Sequence, residues 1–274
     1  MTKTSPLSKL YIALVFLFLY APILVMIVFS FNGAESTYVL SGFSTEWYVK
    51  LFHDRTTMHA LKNTIILAVT SALISTVLGT MAAVGIHSMQ KKYLKTSIMT
   101  VTNIPMMNPE IVTGISMMLL FVFAGSLFQH RNALGFWTIL IAHITFELPY
   151  VILSVLPKLN QTDHRVYEAA QDLGCPPVKA FFKVVFPAIL PGIAAGAIMA
   201  FTLSLDDFII SYFTNGPDFQ TLPIQIFSMT KKRVKPDMYA LSTLIFAAIF
   251  ILLLLMNLAQ FKSDKKQRAK EEEK

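Results

Sequence analysis

The sequence predicts an all-α, polytopic membrane protein with six transmembrane helices. Of its 274 residues, 54% are hydrophobic and only 14% are charged. The hydrophobic fraction exceeds what a globular core needs. The charges are also segregated, because residues 10–31, 63–86 and 238–261 contain no Asp, Glu, Lys or Arg. An apolar run of about 20 residues spans the hydrocarbon core of a bilayer. Such a run must be helical, because lipid offers no water to an open backbone.

Six apolar segments are interpreted as membrane spans, at approximately 9–31, 62–86, 97–124, 134–156, 184–212 and 238–261. The first is longer than the apolar core of a signal peptide, about 7–15 residues, so we expect a retained helix. Prolines interrupt the third and fourth spans at Pro105, Pro109 and Pro149. The fifth contains Pro187 and Pro191, so we expect its first turns to be bent or irregular.

The basic residues predict the orientation of the chain. The formal charge is +7, but the basic residues flank the apolar runs rather than forming a patch. This distribution favours a role in membrane orientation over nucleic-acid binding. With both termini in the cytoplasm, the inner segments hold 15 of the 23 Lys and Arg residues. The basic cluster at 231–235 then lies outside, against the trend but without reversing it. The expected location is the bacterial cytoplasmic (inner) membrane.

Small residues recur every fourth position in two spans. They are Ser71, Ser75, Gly79 and Ala83 in the second span, and Gly192, Gly196 and Ala200 in the fifth. This spacing lets helix backbones approach closely in a bilayer. Contact between apolar side chains gives no hydrophobic driving force there, because the lipid tails are apolar as well. We therefore expect close helix packing at both stripes.

The inner loop at about 157–183 has the signals of two short helices around a corner. Asp163 is placed to cap the first helix, and Gly174 to stop it. Pro177 suits the first position of the second helix. Val166, Ala170 and Leu173 fall on one face of the first helix. The loop is either a compact knob that fits a groove on a partner or a surface connection between two spans.

This loop resembles the EAA motif of ABC importer permeases at Glu168, Ala169, Ala170, Gly174 and Pro187. Val184 and Phe186 depart from the pattern but keep its apolar character. The resemblance implies a MetI-like permease fold, in which the motif forms a coupling helix that docks into a cleft of an ATP-binding subunit. Glu168, Ala169, Ala170 and Gly174 would be the docking residues.

Further stretches, at 43–48, 142–146, 201–207 and 222–229, resemble the PotC-type permease family of the spermidine/putrescine transporter. The resemblance implies import of polyamines through a channel shared with a second, PotB-type permease. The implied partners are a PotA-type ATPase dimer, which uses ATP and Mg, and an extracytoplasmic PotD-type polyamine-binding protein. This chain would bind no cofactor and catalyse no reaction. Its expected organisation is a first helix and outer loop (1–61), a permease domain (62–261) and a charged cytoplasmic tail (262–274).

Four carboxylates fall within the predicted spans, at Glu110, Glu147, Asp206 and Asp207. Intramembrane carboxylates are costly and are candidates for function. A polycationic solute needs acceptors and aromatic faces, so the pathway candidates are Glu110, Asp206, Asp207, Phe208 and Tyr212. Alternatives stay open. Glu110 also suits a helix cap. Of the two adjacent aspartates, either one lines the pathway while the other caps the helix or binds a neighbour, or both only solvate a helix end. Glu147 suits either an inter-helix hydrogen bond or contact with the solute, and His143, one turn earlier on the same span, is a candidate partner.

Two rival functions remain at this point. One is an ABC permease for another solute, such as ferric iron, thiamine, sulfate or an opine. The other is a membrane enzyme or a stand-alone secondary transporter. The sequence contains no G-x-x-x-x-G-K-[ST], H-E-x-x-H or G-x-S-x-G pattern, which argues against its own ATPase or hydrolase site. The single cysteine, Cys175, offers neither a disulfide nor a metal cluster, so no metal site is expected.

Overall fold

A computed structural model describes residues 6–34, 39, 41–127, 133–231, 236–251 and 254. Over these residues the chain is almost entirely helical, as predicted, and five of the helices are long and apolar enough to cross a bilayer. The helices are α1 Pro6–Ser30, α2 Glu46–His53, α3 Arg55–His87, α4 Lys92–Met107, α5 Glu110–Leu127, α6 Phe136–Gln161, α7 His164–Asp172, α8 Pro177–Ala180, α9 Phe186–Asp206, α10 Ile209–Thr214, α11 Leu222–Thr230 and α12 Pro236–Ile251.

The predicted third span, 97–124, is divided into two helices at Pro109, one of its predicted interruptions, whereas Pro105 lies inside α4 without ending it. α4 ends at Met107, and α5 begins at Glu110 after an extended Asn108 with φ −82° and ψ 137°. The physical reason is Pro109, which has no N–H and so cannot continue the hydrogen-bond ladder of α4. Only α5 has the length and hydropathy of a span.

The predicted fifth span, 184–212, has a regular middle and two irregular ends. α8 continues through a π-helical turn, Phe181–Val185, directly into α9. Pro187 removes the N–H that would bond to the carbonyl four residues earlier, which accounts for the irregular start. α9 then ends at Asp206, and Asp207 is extended with φ −65° and ψ 121°. The end of the predicted span is therefore the separate helix α10.

The first, second and fourth spans agree with α1, α3 and α6. α6 runs through Pro149 without ending, as membrane helices with neighbouring hydroxyl groups tolerate. The sixth span is described as α12 only up to Ile251, with Leu254 beyond it. The rest of that predicted span and the tail 262–274 lie outside the described residues.

Contacts divide the chain into two units, of which the first comprises residues 1–58 and 228–274. In this unit α1 leaves the residues of its most apolar stretch uncovered, as expected of a helix that faces lipid. The segment after α1 returns to its end, where Trp47 Nε1 donates a hydrogen bond to the Asn32 carbonyl at 2.7 Å. The hydroxyls of Ser30 and Tyr48 lie 2.7 Å apart and tie α2 to the same end.

The second unit, residues 59–227, is built around α6. The predicted small-residue stripes are confirmed, because α3 and α9 both approach α6 too closely for larger side chains. A Cβ at Gly79 would lie 2.7 Å from Val151 Cβ, and one at Gly192 would lie 2.9 Å from the Ser154 carbonyl oxygen. Substitution at either glycine would therefore push two backbones apart.

Candidate functional site

The loop between α6 and α9 folds into a sharp helical corner, residues 163–180, called the α7–α8 corner below. Asp163 caps α7, because its carboxylate accepts a backbone N–H two residues further on at 3.0 Å. Gly174 ends α7 in the left-handed region, with φ 82°. The next N–H, from Cys175, reaches back to the carbonyl of Ala170 at 3.1 Å and completes a Schellman motif. The predicted cap and stop are both confirmed.

The α7–α8 corner exposes apolar side chains on its surface. Leu173 is 90% exposed and Val178 is 71% exposed, and Val166 is exposed as well. Of the expected docking residues, Glu168, Ala169 and Gly174 are exposed and Ala170 is half-buried. Uncovered apolar groups on one short corner are typical of a protein–protein contact. Pro177 starts α8, as predicted, and α8 continues into the π-helical turn and α9.

At the opposite end of α9, a buried polar cluster joins α3, α6, α9 and α10. Its members are Ser71, Ser75, His143, Glu147, Ser204, Asp207 and Ser211. The carboxylate of Glu147 is fully buried and accepts hydrogen bonds from the hydroxyls of Ser71 and Ser75, both at 2.8 Å. Ser71 Oγ also lies 3.1 Å from Ser204 Oγ. The expectation of an inter-helix hydrogen bond for Glu147 is confirmed.

His143 connects the two carboxylates of this cluster. Its Nδ1 lies 2.8 Å from Ser204 Oγ and 3.9 Å from Glu147 Oε1. Its Nε2 lies 3.0 Å from Ser211 Oγ and 3.4 Å from Asp207 Oδ2. With the proton on Nδ1, His143 donates to Ser204, Ser204 to Ser71 and Ser71 to Glu147, which gives a continuous chain of hydrogen bonds. The imidazole thus bridges α6 to both α9 and α10.

Asp207 serves as a cap for α10. It is 9% exposed, and its two carboxylate oxygens accept the backbone N–H groups of Ile210 at 3.2 Å and Ser211 at 2.7 Å. These bonds satisfy two of the free N–H groups at the start of α10. Its neighbour Asp206 is exposed. The structure therefore separates the adjacent aspartates into one that holds the helix break and one that is open to the surroundings.

Aromatic rings accompany Asp206 at the break between α9 and α10. The Phe208 ring centroid lies 5.5 Å from that of Tyr212 and 4.6 Å from that of Phe227. Tyr212 lies 6.0 Å from Phe227 and is 45% exposed. The predicted pathway residues Asp206, Phe208 and Tyr212 therefore share one end of α9, and Phe227 joins them from α11.

Glu110 lies elsewhere, at the break between α4 and α5. It is exposed in the first turn of α5, where a carboxylate is favoured by the helix dipole. Its position suits both roles expected of it, a terminal charge for α5 and a surface for a passing cation.

Four serines of the buried polar cluster were not predicted as functional. Ser71 and Ser75 were assigned to helix packing, and Ser204 and Ser211 received no role. Their signal was present in the spacing, since Ser71 and Ser75 lie one turn apart on the packed face of α3. A buried carboxylate requires donors, and the hydroxyls of a facing helix are the donors that such a stripe supplies.

Among the described residues, no group of three or more His, Cys, Asp or Glu side chains has the arrangement of a metal site. In the buried polar cluster, each carboxylate oxygen of Glu147 and Asp207 accepts a hydrogen bond, from Ser71, Ser75, Ile210 or Ser211. The cluster is thus a network of hydrogen bonds that joins four helices.

Comparison with known proteins places this geometry in context. Residues 75–268 match the family described as binding-protein-dependent transport system inner membrane component. The chain is 37% identical over 247 residues to the putrescine transport system permease protein PotI of Escherichia coli K12, covering 90% of this chain and 88% of the relative. It is 35% identical over 244 residues to the spermidine/putrescine transport system permease protein PotC of the same strain, covering 89% and 90%.

A solved structure has a similar fold. A crystal structure of a bacterial ABC transporter involved in the import of the acidic polysaccharide alginate contains a chain that superposes with a TM-score of 0.71. The match covers 91% of each chain at 16% sequence identity, so it shows a similar fold only.

Proposed function

The chain belongs to the family of binding-protein-dependent transport system inner membrane components, and from that membership we propose that it is a permease subunit of an ATP-driven polyamine importer. It would form half of the translocation channel for spermidine or putrescine. The observation that carries the proposal is the similarity, over about nine-tenths of the chain, to permeases named for putrescine and spermidine/putrescine transport.

The α7–α8 corner is the proposed contact with the ATPase. Glu168, Ala169, Ala170 and Gly174 would enter a cleft of the ATP-binding subunit, with Leu173 as an exposed apolar anchor. Aromatic and aliphatic anchors that fill a partner's pocket carry much of the energy of such contacts. ATP and Mg²⁺ would be used by the ATPase alone. This role requires the corner to lie in the cytoplasm, with both chain termini on the same side.

The proposed route for the solute passes the two helix breaks. Asp206 offers an exposed carboxylate at the same helix break as the rings of Phe208 and Tyr212, and Glu110 offers a second one. Carboxylates together with aromatic faces suit a flexible polycation. Asp207 would act indirectly, by holding α10 so that Asp206 and the rings keep their places. The other half of the channel would come from a second, similar permease, and the solute from an extracytoplasmic polyamine-binding protein.

The test is to purify the chain together with a second permease, an ATPase and a polyamine-binding protein of the same organism and to reconstitute the complex in vesicles. We expect ATP hydrolysis to rise when the binding protein is loaded with spermidine or putrescine. Sulfate, ferric iron and thiamine serve as comparison solutes. Stimulation by one of these, with none by any polyamine, would reject the proposed solute while retaining the permease role. Active transport by this chain without an ATPase would reject the permease role itself.

A further inference from the structure

A cavity of about 230 Å³ lies beside the break between α4 and α5. It is open to the surface, where Asn108, Ser116 and Thr145 are exposed, and it is large enough for several water molecules. Its polar lining consists of Asn108, Thr113, Ser116 and Thr145, and Phe146 also lines it. The remaining lining is apolar. We call this space the break cavity.

Three prolines leave backbone carbonyls without their helical donors at this place. Pro105 has no N–H for the carbonyl of Val101, and Pro109 has none for the carbonyl of Pro105. On α6, Pro149 has none for the carbonyl of Thr145. Pro105 and Thr145, whose carbonyls lack this donor, both line the break cavity, whereas Val101 does not. Each of the two helices thus contributes to the lining one residue whose carbonyl has no helical donor.

The side chains of the lining add further acceptors. The Asn108 amide nitrogen donates to Thr113 Oγ1 at 3.1 Å, which keeps the amide oxygen available. The Thr145 hydroxyl donates its hydrogen to the carbonyl of Ile141 at 2.8 Å, so its lone pairs remain available. Phe146 contributes an aromatic ring to the wall. The lining residues, all of which the structure describes, include no Lys, Arg or His.

These features select for a particular kind of ligand. A group with several N–H donors and a positive charge matches a surplus of carbonyl, hydroxyl and amide oxygens. An aromatic ring face also attracts a cation. The apolar walls of Ile104, Met117 and Leu120 suit a methylene chain next to the charge. Broken membrane helices with free carbonyls are a recurring means of binding cations at the centre of transporters.

We infer that the break cavity binds a protonated primary amine of the solute during its passage, with the adjoining methylene chain against the apolar walls. The inference rests on the proposed function for the identity of the solute. It adds a binding site made of neutral oxygens. Because this site has no fixed negative charge, the cation can bind there and dissociate again. Such a site differs from Glu110 and Asp206, which carry full charges.

Removing hydroxyl acceptors from the break cavity tests the inference in the intact complex. We expect the double variant Thr145→Val with Ser116→Ala to lower the maximal rate of polyamine uptake about tenfold, since hydrogen bonds to a charged group are lost. The apparent KM should stay near that of the unmodified complex, because the binding protein sets it. Thr202→Val is the matched control. Its hydroxyl makes the same bond to a carbonyl one turn earlier on α9, at 2.8 Å, and lies outside the cavity lining. Uptake by the double variant at the control rate would overturn the inference.

A labelling experiment gives an answer that does not depend on transport. In a complex carrying Cys175→Ser, Ser116→Cys places one thiol in the break cavity, and Met199→Cys places one on an exposed site of α9. We expect a cationic thiosulfonate reagent to exceed an anionic one at position 116 by about tenfold more than at position 199. Equal ratios at the two positions would overturn the cavity as a cation site. Charge-selective labelling without any polyamine transport would instead reject polyamine as the solute and retain the site.

Discussion

Replacing Asp206 and Asp207 one at a time by Asn separates a charge that contacts solute from a carboxylate that holds the fold. Asp207→Asn turns one of two acceptor oxygens into an N–H₂ donor that faces the backbone N–H of Ile210 or Ser211. A buried N–H left without an acceptor costs about 1–3 kcal/mol. We therefore expect Asp207→Asn to destabilise the complex by about 2 kcal/mol, a factor of about 30 in the ratio of folded to unfolded protein.

Asp206→Asn removes an exposed charge that has no such bonds to backbone groups, so its effect on stability should stay within about 0.5 kcal/mol. Its effect should appear in uptake, which we expect to fall about tenfold or more, because a charge-assisted contact to the cation is lost. The assay measures the apparent melting temperature and the spermidine uptake of each variant complex at equal amounts of assembled protein. Asp207→Asn should lower the melting temperature, and Asp206→Asn should leave it unchanged.

One pattern of results would refute this division. If both variants keep the melting temperature of the unmodified complex and lose uptake equally, Asp207 does not act as a cap. The two carboxylates would then act together on the solute, despite the burial of Asp207. A melting temperature lowered by Asp206→Asn alone would exchange the two assignments.

Two further predictions concern the α7–α8 corner and the buried polar cluster. A Cβ meets open space at both Gly174 and Gly85, but only Gly174 has a positive φ, +82°. Gly174→Ala should therefore lower the free energy of unfolding by about 1–2 kcal/mol and reduce co-purification of the ATPase. Gly85→Ala within α3 should be neutral or stabilising and leave the ATPase bound. Equal recovery of the ATPase with both variants would contradict the docking role. Glu147→Leu should lower the melting temperature, because it leaves the hydroxyls of Ser71 and Ser75 without their acceptor. Adding Ser71→Ala and Ser75→Ala should restore part of the loss, since removing both partners of a buried hydrogen bond is less costly than removing one. A triple variant less stable than Glu147→Leu alone would show that the serines stabilise the bundle through other contacts.

The absence of charge predicted where the spans lie, and Pro109 predicted the interruption between α4 and α5. Hydropathy averages over a window, so it extended the fifth span past the helix end at Asp206. Pro149 shows why proline by itself is not a sufficient signal, because α6 continues through it. Pro105 shows the same, because α4 continues through it and ends only before Pro109.

The α7–α8 corner was predictable because its determinants are local. A cap, a glycine stop and a proline start lie within 15 residues of each other and need no distant partner. The buried polar cluster was not predictable in the same way, because it pairs Glu147 with Ser71 and Ser75, which lie 76 and 72 residues away. The sequence indicated that Glu147 would find an inter-helix partner, and only the packing of α3 on α6 identifies which one.

The corner and the buried polar cluster lie at opposite ends of one continuous helical run, Pro177–Asp206, of 30 residues. At about 1.5 Å per residue such a run is about 45 Å long, enough to cross the bilayer. Its first end carries the proposed ATPase contact, and near its last end Ser204 and Asp207 join the hydrogen bonds of His143 and Ser71. A displacement of the corner therefore has two places where it can be absorbed, the π-helical turn at Phe181–Val185 and the break at Asp207. Because the cluster fixes the break to α3 and α6, the break moves only together with those helices, and Asp206 and its aromatic neighbours move with it. If the corner is the ATPase contact, coupling between ATPase and pore would then depend on the stiffness of the π-helical turn, Phe181–Val185, within this run.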